Sequence, residues 1–148
     1  MSDSLFSSMQ ISAAGMSAQR TRMDIVAANI ANAESTRTQE GGPYRRRQVI
    51  FQAISSEKPF SAVFSDSIGG KEPKSIKVSD VIQDQSPFQK IYDPSHPDAD
   101  KNGMVSQPNV NTVVEMMDMN SAARSFEANV TAMEASKRMF LKAMELLR

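Results

Sequence analysis

A chain of 148 residues with 17 basic and 17 acidic side chains carries no net charge. The balance holds within each terminal segment, so no basic face points to a nucleic-acid partner. Without cysteine there are no disulfides and no thiolate metal sites, and no apolar run reaches the roughly 18 residues that suggest membrane insertion.

The first expected element is a helix from Ser2 to about Ala33. Met9, Met16, Met23 and Ile30 recur every seven residues, the spacing of a helix that packs lengthwise on others. A weaker row, Phe6, Ala13, Arg20 and Ala27, runs beside it. No proline precedes Pro43, and Gly15 is a mild weakness of about 1 kcal/mol against alanine. The polar run Asn32 to Thr36 closes the element, giving a terminal segment of residues 1–34. Its first basic residue is Arg20, so it lacks the basic start and apolar centre of a cleaved secretion signal. The expectation is a cytosolic chain or one exported without such cleavage.

Residues 35–111 change character. All seven prolines and five of the six glycines fall there. β-like stretches lie between these breakers: Tyr44–Ile54 after the turn signal Gly41-Gly42-Pro43, Ser75–Ile82, and Phe88–Tyr92. Asp93–Gly103 is turn-rich, and Ser65–Lys74 reads as an exposed loop. The segment is expected to form a small β-rich middle domain.

Residues 112–148 read as one long helix. Thr112 and Glu115 have capping-box spacing, with Asn111 a competing cap. Two seven-residue rows run along it, Met119, Phe126, Met133, Phe140 and Leu147 beside Met116, Ala123, Val130, Lys137 and Met144. Only Lys137 is polar, a position suited to snorkelling or to an acid on a neighbour. About 37 residues at 1.5 Å each span roughly 55 Å, more than the 25–35 Å or so of a compact domain this size. Methionine, with 11 residues mostly in the terminal segments, packs adaptably on irregular surfaces. The expected fold class is therefore α+β: long terminal helices in a coiled-coil-like antiparallel pair, with the β-rich domain inserted between them. Apolar surface left over is expected to meet other subunits.

Few residues suggest chemistry. Asp98-Ala-Asp100-Lys-Asn102-Gly103 matches the opening of a calcium loop, but the twelfth position, which needs glutamate, is Asn109. A tight turn explains the same residues, and a calcium-responsive binding module is kept as the alternative function, beside a generic coiled-coil adaptor. Arg45-Arg46-Arg47 is the one basic run. On a strand its side chains alternate between faces, which suits solvent or a carboxylate on a neighbour better than nucleic acid. His96, the sole histidine, sits in a turn without companions. There is no nucleophile elbow, phosphate loop, dinucleotide fingerprint or HExxH, so no catalytic, metal or cofactor site is expected.

The ends of the chain carry a resemblance. Ala14-Gly-Met-Ser-Ala-Gln-Arg-Thr-Arg-Met-Asp24 and Ala28-Asn29-Ile-Ala-Asn32-Ala33 resemble the N-terminal motif of bacterial flagellar rod, hook and hook-associated proteins. Pro108-Asn109-Val-Asn111, then Glu115-Met-Met-Asp-Met119 and Ala123-Arg124-Ser-Phe-Glu127-Ala-Asn129-Val130, resemble the far end of the proximal-rod branch of that family. Gly42-Pro43-Tyr44-Arg45 and Tyr92-Asp93-Pro94 agree in the middle. The family often has paired asparagines where this chain has Ala28-Asn29, and tyrosine where it has Phe126. The resemblance implies a structural subunit exported by the flagellar type III apparatus without a cleaved signal. It would assemble with copies of itself and other rod proteins into the hollow, periplasm-crossing shaft that transmits torque. Its terminal helices would form the core of that shaft and order on assembly. The residues expected to pack between subunits are Met9, Met16, Met23, Ile30, Met116, Met119, Phe126, Val130, Met133, Phe140, Met144 and Leu147.

Overall fold

The computed structural model describes residues 2–39, 41–54 and 75–146. In chain order the elements are helix α1 (Ser2–Ala31), strands β1 (Arg47–Ile54), β2 (Ser75–Gln83), β3 (Gln89–Tyr92) and β4 (Met104–Gln107), and helix α2 (Thr112–Leu146). The fold is α+β, with both long helices at the ends. No helix among the described residues is long and apolar enough to cross a membrane. The loop expected at Ser65–Lys74 lies outside the described residues, as does Leu147.

The strands form two small sheets, β1 with β2 and β3 with β4. β3 and β4 are antiparallel, pairing Gln89 with Gln107 and Tyr92 with Met104. β4 was not among the expected strands. It has only four residues between Gly103 and Pro108, too short for alternation to register. Its Val105 is nonetheless 2% exposed. Gly103 ends the connecting turn with φ +74°, and a Cβ there would lie 2.9 Å from the Tyr92 ring, so glycine is needed twice over.

Both helix ends facing the β region are capped by asparagine. At the end of α1 the Asn32 side chain donates to the Ala28 carbonyl at 2.8 Å and accepts from the Ser35 hydroxyl. At the start of α2 the Asn111 side-chain oxygen accepts from the Val113 and Val114 amides at 3.0 and 3.3 Å. The capping box expected at Thr112 is therefore incorrect. With Asn111 as cap, Glu115 falls one position too late to close it, and its carboxylate is used elsewhere.

Two compact units share the helices: Met1–Arg20, Phe51–Ser79 and Ala123–Arg148 in one, Thr21–Ile50 and Asp80–Ala122 in the other. In the first, the Ser8 and Ser136 hydroxyls hydrogen-bond at 3.1 Å. Phe6 and Phe140 meet edge to face at 5.5 Å, a favoured aromatic geometry. Gly15 lies against Asn129, whose Oδ1 would be 2.9 Å from any Cβ added there. In the second, Asn29 meets Glu115 and Arg22 meets Asp118. In each unit the α1 and α2 segments thus run in opposite directions, and most of what is buried along them is small or polar. Ser12, Ala18, Val26 and Asn29 are buried on α1, and Glu115, Ala122 and Ser136 on α2.

Candidate functional site

The most heavily determined place in the molecule is a polar joint in the second unit, where α1, β1 and α2 meet. Asn29 and Glu115 are both 0% exposed. A buried amide or carboxylate is costly unless each of its polar atoms finds a partner, and here they do. Asn29 Nδ2 donates to Glu115 Oε2 and to the Arg47 carbonyl, both at 2.9 Å. Asn29 Oδ1 accepts from the Tyr44 hydroxyl at 2.9 Å and from the Arg47 amide at 3.0 Å. The side-chain amide thus holds both backbone groups of Arg47, as a neighbouring strand would. It supplies the first residue of β1 with a pairing partner from a helix.

Glu115 completes the joint. Its Oε1 accepts from Arg46 Nε at 2.6 Å, a charge-assisted bond of the stronger kind. Asp118 bridges two arginines, at 3.0 Å to Arg22 and 3.5 Å to Arg46. Two arginines and two carboxylates therefore balance, as burial requires. Asn109 fastens the other side, accepting from the Arg46 amide at 2.9 Å and donating to the Asp84 carbonyl at 3.2 Å. The Asp84 amide donates to the Arg46 carbonyl at 2.8 Å, so the entry to β1 meets the exit from β2. Burial raises the Tyr44 phenol above its ordinary 10.0, opposed by Arg47 and reinforced by Glu115.

Of the motif residues, the structure brings Asn29, Asn109 and Glu115 into this joint. Pro108 is buried beside it, while Asn32 and Asn111 cap helices. Arg124 and Glu127 are exposed on α2, and Asn129 is half-buried against Gly15 while donating to the Ser125 carbonyl. The arginine run divides. Arg46 turns into the joint, so its carboxylate partners lie within the chain. Arg45 stacks 4.3 Å over the Phe88 ring, and Arg47 is exposed. The sequence showed that the run would alternate but not that Glu115 was its target, because nothing in the spacing links residues so far apart.

The apolar rows lie beside the seam rather than in it. Met9, Met16, Met23 and Ile30 are half-buried, as are Met119, Phe126, Val130, Met133 and Phe140. Met116 and Met144 are 58% and 55% exposed, with Lys137 exposed between them. Val113, Val114 and Met117 are exposed near the start of α2, and Met139 and Leu141 towards its end.

The turn between β3 and β4 uses its acids locally. The Asp93 and Asp100 carboxylates accept from the Ser95 and Lys101 amides, Asp98 accepts from the Thr36 hydroxyl, and His96 Nδ1 accepts from the Asp98 amide. Among the described residues no group of three or more acids or histidines could hold a metal ion.

Comparison with known proteins agrees with this layout. Residues 9–37 match the family described as flagella basal body rod protein, and residues 101–146 the C-terminal family of flagellar basal body rod FlgEFG proteins. The flagellar basal-body rod protein FlgC of Borreliella burgdorferi is 42% identical, covering 97% of this chain and 98% of that protein. The FlgC proteins of Bacillus subtilis and Salmonella typhimurium are 43% and 37% identical, over 95% and 96% of this chain and 97% of each relative. Full-length similarity at this level, with the matched families falling on the two helices and the joint, places the chain in the FlgC family of flagellar basal-body rod proteins.

Proposed function

We propose that this chain is a structural subunit of the proximal rod of the flagellar basal body, and that it polymerises through the outward apolar surface of its terminal helices. The observation that supports this reading is the division of labour along the helices. The side chains buried along the helices are mostly small or polar, while large apolar side chains are exposed on α2. Exposed large apolar side chains clustered at each end of α2 mark places for a partner. Met9, Met16, Met23, Ile30, Met119, Phe126, Val130, Met133, Phe140 and Leu147 would pack between subunits together with Met116 and Met144. Neighbours would be copies of this chain and other rod proteins. Many helices packed side by side give the stiffness that a torque-transmitting hollow shaft needs, and no bond chemistry is required. Delivery by the flagellar type III export apparatus without a cleaved signal completes the reading.

The test separates packing from folding. Met116→Glu and Met144→Glu replace exposed residues, so the isolated chain should keep its stability to within about 0.5 kcal/mol. Each is expected to abolish swimming in a strain that depends on this chain, with no chain recovered in purified basal bodies. Normal swimming by both would remove the helix-packing reading.

A further inference from the structure

The three arginines at the entry to β1 divide between two environments. Arg46 engages Glu115 and Asp118 in the joint. Arg45 and Arg47, two positions apart on an extended chain, share the other face. Both line one open cavity of about 500 Å³. Tyr44, Gln83 and Phe88 line it too, and every described lining residue belongs to the second unit. None of them is acidic. Among the described residues neither Arg45 nor Arg47 takes part in an ion pair. Asp84, whose carboxyl feels Arg46 and Arg45, does not line the cavity and accepts from the Ser86 hydroxyl and amide.

Both cations are held in place from behind. Asn29 fixes the Arg47 backbone through its amide and its carbonyl, so that side chain starts from a set point. The Arg45 guanidinium lies 4.3 Å over the Phe88 ring and donates to the Asp84 carbonyl at 3.3 Å. A guanidinium has several N–H donors in a fixed fork, so one bond to a carbonyl leaves Arg45 free to grip a ligand beside Arg47.

We propose that this cavity receives a carboxylate side chain of an adjacent protein subunit, held by Arg45 and Arg47 together. The inference rests on the rod reading, which sets other chains against this one. Charge selects the ligand. Two guanidinium groups line one cavity without a local counter-charge, and arginine pairs bidentately with carboxylates. A polyanion such as nucleic acid fits less well, because the chain has no net positive charge. A contact of this kind fixes which subunit docks and in what orientation more than it adds raw affinity.

The test is made in assembled basal bodies, so it requires nothing of the free chain. Arg47→Lys keeps the positive charge and supplies an amine. Gln83→Lys adds an amine to the same wall and leaves both arginines in place. A water-soluble carbodiimide activates carboxyl groups, and an amine in contact displaces the activator as its urea to form an amide. The expected product is heavier than one chain and absent from the wild type. Mass spectrometry should find the amine at position 47 or 83 joined to an aspartate or glutamate of a neighbouring subunit. Arg47→Glu sets like charges together and should lower the chain recovered with basal bodies about tenfold at an unchanged cellular level. Changing the linked acid to arginine in that strain should restore recovery. Basal bodies that contain both lysine variants yet yield only links within one chain would overturn the inference and leave the rod reading standing. Full recovery of the Arg47→Glu chain would overturn it too, as would a loss that reversing the linked acid does not mend. Absence of the wild-type chain from basal bodies would remove the rod reading and this inference with it.

Discussion

At the scale of single residues, the joint makes unequal demands on its members. Removing one partner of a buried ion pair leaves the other charge stranded, at a cost of about 3–5 kcal/mol. Arg46 retains some solvent and the more distant Asp118, so Glu115→Ala should fall near the lower end, about 3 kcal/mol by urea unfolding. Tyr44→Phe removes one bond to Asn29 and should cost about 1 kcal/mol at neutral pH. It should also change the pH profile. A phenol whose pKa is raised on folding contributes stability that is complete below 10.0 and is lost as pH climbs through the folded value. Wild-type stability should therefore decline in strong alkali, and unfolding curves of Tyr44→Phe should show a shallower decline. Asp84 works in the opposite direction. The Ser86 hydroxyl, then the Ser86 amide, lower its carboxyl below 3.8, so its contribution is present above 3.8 and is lost as pH falls through the folded value.

At the scale of elements, Gly15 shows how a residue changes meaning between sequence and structure. Read alone, it is a weak point in a helix. In the structure it is the place where Asn129 fits. Gly15→Ala gains about 1 kcal/mol of helix propensity but drives a Cβ to 2.9 Å from an amide that its bond to the Ser125 carbonyl holds in place. Net destabilisation is expected, and the double change Gly15→Ala with Asn129→Ala should melt higher than Gly15→Ala alone. Thermal unfolding of the wild type and the two variants checks this. The extent and pairing of both helices were legible because seven-residue periodicity and the absence of proline are local properties. β1, β2 and β3 were legible to within a few residues for the same reason. What was not legible is which face of each helix turns inward. The sequence advertises the methionine rows, yet the seam belongs to Ser8, Gly15, Asn29, Glu115, Asn129 and Ser136. Their fit depends on partners 86 to 128 positions away, a separation at which no pattern in a single chain carries information.

At the scale of the whole molecule, the two helices bury one set of side chains and expose another. Most of the side chains buried on the helices are small or polar, and large apolar ones remain exposed on α2. Phe140 belongs to both sets, since it meets Phe6 within the chain and is only half-buried. Phe140→Ala should therefore lose less than the 3–5 kcal/mol or so of a fully buried phenylalanine, yet block motility in the same swimming assay. The exposure of methionine has a chemical corollary. A thioether open to solvent is oxidised to a polar sulfoxide, which spoils an apolar contact. Met116, Met117, Met139 and Met144 are each more than half exposed in the free chain. Brief peroxide treatment followed by mass spectrometry should find these four modified ahead of half-buried Met119 and Met133. A chain so treated should fold normally and fail to join a rod, whereas the same methionines within assembled basal bodies should be protected. On the helix-packing reading, the surface that would make the subunit adhesive would also make it perishable until neighbours cover it.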